Sequence, residues 1–239
     1  MYDIDNENLP KHIAMILDGN RRWARAQGLD PKEGHKEGSQ NVKKITKFAN
    51  KLGIKYLTLY AFSTENWKRT KEEVNGLLFL LEKYLKEILD TDDLENVKII
   101  VFGDTSVLSK KLQEYIKEVE EKTKNNTGLQ LSIAFNYGGR AEIIRGVKQI
   151  AEDVKNGKLN VEDINEEVFS NSLYTKGLPD PDFLIRTSGE LRTSNFLPWQ
   201  IVYSEFYFPT KHWPEFSEDD FVEAIKEYQK RNRRFGGSK

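Results

Sequence analysis

The sequence predicts an α/β fold in which a mostly parallel six-stranded sheet is covered by helices on both faces. Short apolar runs typical of strands alternate with longer segments whose apolar residues recur at helical spacing. Six strands separated by helices favour a parallel sheet with both faces covered. No change of composition marks a linker, and no internal repeat is present. We therefore expect a single domain over residues 1–239, with a polar arm at 1–11 and a flexible basic tail at 232–239.

The predicted elements follow one another in a regular order. The strands cover residues 12–18, 56–62, 97–103, 129–135, 182–187 and 202–208. The helices cover residues 36–51, 72–89, 109–124, 140–154 and 216–231. In the first of these helices Val42, Ile45 and Phe48 share one face, and Gly53 follows as a stop signal. Ser109 is of the residue type that caps a helix N-terminus.

The composition excludes several classes of protein. The net charge is −1, so bulk electrostatics give no sign of a nucleic-acid partner, and any anion site must be a local cluster of arginines. There are no cysteines, which excludes disulfides, thiol catalysis and thiolate metal sites. No apolar run approaches the roughly 18 residues that a membrane span needs. The polar start MYDIDNENLPKH is neither a signal nor a transit peptide, so we expect a soluble globular protein.

Polar and charged residues follow the predicted strands, at the edge where an open parallel sheet binds its ligand. They are Asp18, Gly19, Asn20, Arg21 and Arg22 after the first strand, residues 63–69 after the second, residues 103–104 after the third, residues 136–140 after the fourth, and Arg186, Ser188, Gly189, Glu190, Arg192 and Ser194 after the fifth. Arginine binds oxyanions, glycine lets backbone N–H groups approach a ligand, and carboxylates hold Mg²⁺. The nucleotide motifs G-x-x-x-x-G-K-[ST] and G-x-G-x-x-G are absent. The residues alone therefore predict a phosphate or diphosphate site with Mg²⁺.

Long blocks of the sequence resemble the signatures of one enzyme family. They are HIAMILDGNRRWA followed by Gly34-His35, LYAFSTENWKR at 59–69, NYGGR at 136–140, IRTSGELRTSNFLPWQ at 185–200, then Glu205 and RRFGG at 233–237. In this order, and over nearly the whole chain, they resemble the cis-prenyltransferases, the undecaprenyl diphosphate synthase family. The similarity is to the bacterial homodimeric branch. Each block is long, so matching by chance is implausible.

The resemblance implies a Mg²⁺-dependent isoprenyl transferase. Such an enzyme condenses isopentenyl diphosphate with an allylic diphosphate, such as farnesyl diphosphate, into a longer polyprenyl diphosphate. The product implied here is the lipid-carrier precursor for cell-wall synthesis. The resemblance also implies a homodimer in the cytoplasm, peripheral at the inner face of the plasma membrane, with transient contact at the membrane surface for product release.

The resemblance assigns roles to residues of this chain. Asp18 is the essential carboxylate and binds Mg²⁺, with Glu205 as the second carboxylate. The residues implied to bind the allylic diphosphate or to line the substrate region are Gly19, Asn20, Arg21, Arg22, Trp23, His35, Ser63, Thr64, Glu65, Trp67 and Arg69. Those implied for isopentenyl diphosphate are Arg186, Arg192, Thr193 and Ser194. Arg234 and Gly236 match the terminal R-x-G that reaches into the site of the partner subunit.

Two residues compete for the role of removing the final proton. The family pattern assigns proton removal to Asn66, with Asp18 as the rival. An amide is a poor base, so we interpret Asn66 as a residue that positions the substrate. The residues leave the choice between the two open.

One position departs from the family pattern. Family members carry an arginine for the allylic diphosphate three residues before the Gly-His pair, where this chain has Pro31. Proline offers neither a charge nor an N–H group, so it cannot take over that role. Either Lys32 replaces the arginine as a point charge, or the remaining residues bind the diphosphate without help; we favour Lys32.

The helical segment 75–89 is more apolar than one core-facing stripe requires, since residues 77–81 are all apolar. It is a buried core helix, a dimer contact, or one wall of an apolar tunnel beside the sheet that accepts the growing chain. Fifteen residues at about 1.5 Å each give roughly 22 Å, enough to flank many isoprene units. Tyr84 lies at helical spacing from Leu77, Leu80 and Leu81 and can limit chain length if this face lines the tunnel.

Two other functions compete with the enzyme. A catalytically silent relative that serves only as a partner subunit would lack the Asp18 block or the terminal R-x-G, and both are present. An unrelated phosphohydrolase or phosphotransferase would need a nucleophile or metal motif that the sequence does not contain. The trans-prenyltransferases bind Mg²⁺ with DDxxD, and both Asp-Asp pairs of this chain lack the third Asp, which favours the cis class.

Overall fold

One parallel sheet positions the candidate residues. The computed structural model of the chain describes residues 2–91 and 94–231. Its strands are β1 (His12–Ile16), β2 (Tyr56–Ser63), β3 (Lys98–Phe102), β4 (Gln130–Tyr137), β5 (Phe183–Arg186) and β6 (Glu205–Tyr207). All pairings are parallel, and the strands lie in the order β3-β4-β2-β1-β5-β6. The turn after β1 therefore lies between the carboxyl ends of β2 and β5.

Helices connect these strands. They are α1 (Asn20–Ala26), α2 (Pro31–Leu52), α3 (Lys71–Asp90), α4 (Lys110–Thr123), α5 (Gly139–Lys155), α6 (Glu166–Ser170) and α7 (Glu218–Gln229). Short 3₁₀ turns lie at Asn6–Asn8, Thr64–Lys68, Thr105–Val107, Val161–Asp163 and Trp213–Glu215. Within residues 2–91 and 94–231, none of the helices is both long and apolar enough to cross a membrane.

The strand side chains alternate between two apolar layers. Ile13 and Met15 of β1 belong to the larger layer, to which α2, α3, α4 and α7 contribute their apolar faces. Ala14 and Ile16 belong to the opposite layer, which is covered by the loop at residues 196–201. Both faces of the sheet are thus buried, as parallel strands with continuous apolar runs require. The predicted six-stranded α/β fold is confirmed.

Most differences from the predicted boundaries have local causes. Helix α2 begins five residues earlier than predicted, because the side chain of Asp30 accepts a hydrogen bond from the N–H of Lys32 (2.8 Å) and Pro31 occupies the first helical position. The first turn of α2 holds no large apolar residue, so periodicity could not reveal it. Ser109 caps α4 as predicted, by accepting a hydrogen bond from the N–H of Leu112.

The last predicted strand, at residues 202–208, is reduced to Glu205–Tyr207. A turn precedes it, in which the N–H of Ser204 donates to the carbonyl of Ile201 (3.1 Å). This turn leaves the apolar side chains of Val202 and Tyr203 in solvent, 67% and 79% exposed. The apolar run at these residues therefore marks an exposed surface beside the terminal strand and not a longer strand.

Asn41 of α2 makes one of the buried polar contacts that hold the helix layer together. Its Nδ2 donates to the carbonyl oxygens of Trp213 (2.7 Å) and Phe216 (2.9 Å). We expect Asn41→Ala to lower the free energy of unfolding by about 2 kcal/mol, because two buried carbonyls lose their donor. Urea unfolding followed by circular dichroism measures this. The exposed neighbour substitution Gln40→Ala is the control, and an equal effect of both would contradict the assignment.

Candidate active site

A cavity of about 820 Å³ opens at the carboxyl edge of the sheet, where the turns after β1, β2 and β5 meet. The predicted residues that line it are Asp18, Gly19, Asn20, Arg21, Arg22, His35, Ser63, Glu65, Asn66, Arg69, Arg186, Arg192 and Ser194. Three further polar residues of the lining, Arg25, Ser39 and Asn195, were not predicted as site residues. Its apolar lining includes Val42, Leu59, Leu77, Leu80, Leu81, Tyr84, Ile133 and Phe135. One part of the cavity lining is thus rich in arginine, and another part is apolar.

Asp18 lies just past the end of β1 and is held by two arginines. Its Oδ2 accepts a hydrogen bond from Nη2 of Arg186 at 2.8 Å, and its Oδ1 lies 2.9 Å from Nη2 of Arg22. Burial by itself would raise the pKa of this carboxyl, but the two guanidinium groups together outweigh burial and hold the pKa below its usual value. Asp18 is therefore ionised at neutral pH, in the form that binds cations.

Gly19 makes the turn after Asp18 possible. Its φ of +102° is in the left-handed region, which L side chains rarely adopt. A Cβ at this position would lie 2.0 Å from Oγ of Ser188 and 2.6 Å from Nδ1 of His212. Those two side chains are themselves hydrogen-bonded to each other at 2.7 Å. The close packing brings the turn after β1 against the turn after β5.

Arg186, at the end of β5, is the most deeply buried charge of the site. The residue is 4% exposed, and its Nη1 donates to the carbonyl of Arg192 (2.6 Å) and to Oγ of Ser194 (2.7 Å). Its Nη2 binds Asp18, so one guanidinium joins the turn after β1 to the loop that carries Arg192 and Ser194. Among the residues described, its Nε has no hydrogen-bond partner. A donor of a buried cation thus remains for an anionic ligand or water.

Glu190 follows β5 at the predicted ligand-binding edge and was assigned no role there, yet it bridges two arginines that were predicted to bind substrate. Its Oε1 lies 2.7 Å from Nη1 of Arg22, and its Oε2 accepts a hydrogen bond from Nη1 of Arg192. The hydrogen bonds from Arg192 and Arg22 lower the pKa of Glu190. The only feature of the sequence that pointed to this role was the position of Glu190 between Arg186 and Arg192 in the block IRTSGELRTSN.

Glu73, near the start of α3, is a second carboxylate that sequence reasoning missed. Its Oε1 lies 2.9 Å from Nη1 of Arg69 and 3.2 Å from Nε2 of His35, and its Oε2 lies 3.6 Å from Nη1 of Arg21. Burial lowers the pKa of His35 even beside Glu73, so the ring is neutral at pH 7. The spacing of four residues between Arg69 and Glu73 was the signal that could have found this contact.

Asn66 lies in the 3₁₀ turn after β2 and lines the cavity. Its Oδ1 accepts a hydrogen bond from the backbone N–H of Ser63 at 3.0 Å, and the Ser63 side chain caps the same turn in return. The amide oxygen of Asn66 is thus engaged by the backbone. This geometry agrees with a positioning role for Asn66.

Some predicted substrate residues flank the cavity and do not line it; they are Trp23, Thr64, Trp67 and Thr193. Trp23 donates its ring N–H to Glu215 at 3.1 Å, and Trp67 donates to Oδ1 of Asn136 at 2.7 Å. These two rings therefore pack the site from outside. Asn136, in the block NYGGR, thus supports the ring of Trp67.

Pro31 and Lys32 also lie outside the main cavity. Pro31 is the first residue of α2, and both residues line a neighbouring cavity of about 550 Å³. That cavity shares Arg21, His35, Leu77 and Leu80 with the main one. Lys32 is thus near the cationic lining but is not part of it, and its replacement of the family arginine stays a prediction.

Glu205 lies away from Asp18 within one chain. It begins β6 level with Phe183, at the start of β5, whereas Asp18 lies beyond the opposite end of the sheet. The three residues from Phe183 to Arg186 correspond to roughly 10 Å along the strand. Glu205 accepts a hydrogen bond from Nη1 of Arg231 at 2.7 Å. The described chain does not bring the two predicted metal carboxylates together.

Comparisons with known proteins agree on one family. A sequence-family model described as "Putative undecaprenyl diphosphate synthase" matches residues 16–236. The isoprenyl transferase of Clostridium perfringens (strain 13 / Type A) is 52% identical over 233 residues, which cover 98% of this chain and 92% of that protein. The isoprenyl transferase of Bacillus subtilis (strain 168) is 51% identical over 235 residues, which cover 98% of this chain and 90% of that protein.

Solved structures are similar over nearly the same span. Lavandulyl diphosphate synthase from Lavandula x intermedia, in complex with dimethylallyl diphosphate, has a TM-score of 0.92 and 39% identity, and the match covers 96% of this chain and 99% of that chain. A probable undecaprenyl diphosphate synthase from Campylobacter jejuni has a TM-score of 0.78 and 37% identity, with the same coverage. The chain therefore belongs to the undecaprenyl diphosphate synthase family, the cis-prenyltransferases that its sequence blocks resemble.

Proposed function

We propose that this chain is an isoprenyl transferase that condenses isopentenyl diphosphate with an allylic diphosphate into a longer polyprenyl diphosphate. The observation that carries the proposal is a cavity in which arginines around Asp18 adjoin an apolar lining, as a ligand with an anionic head and a hydrocarbon tail requires. Curated relatives about half identical to this chain are named isoprenyl transferases. A silent partner subunit is not favoured, because Asp18 and the arginines are in place.

Two adjoining groups of donors suit two diphosphates. We define the first group as Arg21, Arg22 and Arg69, and the second group as Arg186, Arg192 and Ser194. Asp18 contacts Arg22 of the first group and Arg186 of the second, and Glu190 contacts Arg22 and Arg192. The groups are thus neighbours. Two anionic heads bound there would be held side by side.

The reaction begins when the carbon–oxygen bond of the allylic diphosphate breaks and its electron pair leaves with the diphosphate. Negative charge grows on the leaving group, and the first group stabilises that charge more than it stabilises the bound substrate. The double bond of isopentenyl diphosphate, whose head the second group binds, then attacks the allylic cation. Holding the two reactants at close range converts a bimolecular step into an effectively unimolecular one.

A proton must leave the isopentenyl unit as the new double bond forms. The amide oxygen of Asn66 accepts a backbone hydrogen bond, which supports Asn66 as a residue that positions the substrate. Asp18 is ionised and lines the cavity, so it remains the group with the chemistry of a base. Its two arginine contacts reduce its basicity.

Asp18 fits a Mg²⁺ ion that enters with a diphosphate. Mg²⁺ is usually bound through one or two carboxylates, substrate phosphates and several waters, so one protein carboxylate suffices for such a site. Within the described residues no cluster of three or more acidic, His or Cys side chains is present, which agrees with a metal shared with substrate. When bound, the ion would neutralise charge on the leaving diphosphate. Asp18 would exchange an arginine contact for this ion.

We propose that the apolar lining is the tunnel that accepts the growing hydrocarbon chain. Leu77, Leu80, Leu81 and Tyr84 of α3 line the cavity together with residues of β2 and β4. The apolar residues of segment 75–89 differ in their exposure to solvent. Leu85 is fully buried, whereas Phe79 is 65% exposed. The core and tunnel interpretations of this helix therefore apply to different faces.

We further propose a homodimer built on the β6 edge. β6 is a terminal strand, and the nearby side chains of Val202 and Tyr203 are largely exposed. An exposed apolar surface beside a sheet edge is typical of a protein interface. A second copy bound at this edge would bring Glu205 close to the metal site of that copy. Arg234 and Gly236 lie outside the described residues, and their role across the dimer stays a prediction, as do the arm at 1–11 and the tail at 232–239.

The product implied by the family is a lipid-carrier precursor for cell-wall synthesis, made by a cytoplasmic enzyme that touches the membrane surface. No partner of nucleic-acid type is proposed. The product, the compartment and the membrane contact are those of the family that the chain resembles.

The first test is a transfer assay with radiolabelled isopentenyl diphosphate, farnesyl diphosphate and Mg²⁺. We expect Asp18→Ala to reduce turnover below a tenth of wild type, because Asp18 binds the metal and pairs with two arginines. EDTA should stop the wild-type reaction, and Mg²⁺ should restore it. The control is Asp219→Ala, which removes an exposed carboxylate from α7. A folded Asp18→Ala enzyme with more than a tenth of the activity would contradict the assignment.

The tunnel proposal predicts that Tyr84 limits product length. Tyr84→Ala should lengthen the products, because removing a ring from the apolar lining leaves room for further isoprene units. Thin-layer chromatography of dephosphorylated products measures their length. Lys86→Ala, on the exposed side of the same helix, is the control. An unchanged distribution of products would assign Tyr84 to the core alone.

The dimer proposal predicts that each site needs both subunits. An Asp18→Ala chain mixed with an Arg234→Ala chain should form heterodimers in which one of the two sites is intact, so activity should return although each variant alone is inactive. Differently tagged chains and tandem purification isolate the heterodimers. Homodimers of each variant, refolded in the same way, are the controls. Inactive heterodimers would show that Arg234 does not act across the interface.

A further inference from the structure

We propose that Glu73 is a latch that occupies the cations of the allylic-diphosphate site and is displaced when a diphosphate binds. We call Glu73 and its three partners, Arg21, His35 and Arg69, the latch cluster. The proposal rests on the proposed function, because it assigns a new positioning residue to the same site. Glu73 lines the neighbouring cavity, and its three partners line the main one.

The contacts of the latch cluster join three parts of the chain. Arg21 comes from α1, His35 from α2, and Arg69 from the residues just before α3. All three side chains line the main cavity and converge on the carboxylate of Glu73, within 3.6 Å. A carboxylate only accepts hydrogen bonds, so Nε2 of His35 carries the proton that it donates. Glu73 thus holds donors that face the cavity.

A carboxylate and a diphosphate compete for such donors. Two guanidinium groups this close repel each other unless an anion lies between them, and Glu73 supplies that anion. A diphosphate presents the same kind of acceptor with more negative charge. The two anions also repel each other, so Arg21 and Arg69 can turn fully to the diphosphate only by releasing Glu73. Diphosphate binding therefore includes the cost of breaking the latch.

The latch couples the anionic part of the site to its apolar part. Leu77, Leu80 and Leu81 follow Glu73 at intervals of four, seven and eight residues, so they share its face of α3. The same three leucines line the cavity. Releasing Glu73 frees the first turns of α3 from α1 and α2. The helix that borders the hydrocarbon chain can then adjust once a diphosphate is bound.

The test measures the affinity for inorganic pyrophosphate with Mg²⁺ by isothermal titration calorimetry. Glu73→Gln keeps the size of the side chain and removes its charge, so pyrophosphate should bind roughly threefold to tenfold more tightly than to wild type. Glu73→Ala should shift the affinity in the same direction and serves if the first variant does not fold. Glu72→Gln is the matched control, because it removes a neighbouring charge that is exposed and should leave the affinity unchanged.

Steady-state kinetics give an independent readout. The KM for farnesyl diphosphate should fall in Glu73→Gln. The KM for isopentenyl diphosphate should stay within about twofold of wild type, because Glu73 contacts arginines of the first group and none of the second. Equal or weaker pyrophosphate binding by both Glu73 variants would overturn the latch and make Glu73 a simple support for the arginines. An equal gain in Glu72→Gln would reduce the effect to net charge. A wild-type protein that binds no pyrophosphate would overturn the proposed function as well.

Discussion

The buried ion pair between Arg186 and Asp18 is the constraint on which the site depends. A guanidinium that is 4% exposed is costly to bury unless its donors are paired. The two Nη groups of Arg186 are paired with Asp18 after β1 and with both the Arg192 carbonyl and the Ser194 hydroxyl in the loop after β5, and only its Nε lacks a partner among the described residues. These contacts fix the turn after β1 and the loop after β5 relative to each other. The pair therefore determines how the polar lining of the cavity is arranged.

The remaining cations of the cavity are balanced in the same way. Glu190 bridges Arg22 and Arg192, and Glu73 holds the cations on the other side. Arginines collected in one place repel one another, so each carboxylate stabilises the cluster. In the proposed function, bound diphosphates replace these carboxylates as the acceptors of the arginine donors. Binding then exchanges one set of anions for another without building a new site.

The loop that carries Ser194 has little regular structure and is held by specific contacts. The N–H of Gly139 donates to the carbonyl of Asn195 at 2.8 Å, and the side chain of Asn195 donates to Glu65 at 2.9 Å. Phe196 stacks on Tyr60 with ring centroids 4.4 Å apart. Ser194 and Asn195 have positive φ angles of 48° and 65°, a conformation that is unfavourable unless surrounding contacts enforce it. Packing against the smaller apolar layer thus positions a residue of the cavity.

The sequence by itself determined the α/β class, the alternation of strands and helices, and the blocks around Asp18 and Arg186, because these features depend on local periodicity and on contiguous residue patterns. It predicted the last strand but not its start at Glu205, since an apolar run in an exposed turn resembles a strand. It also missed Glu73 and Glu190, whose roles arise only when distant arginines fold against them. Only the tertiary structure decided which residues share the cavity, because contacts between residues far apart in sequence depend on strand order and loop packing, which local patterns do not encode.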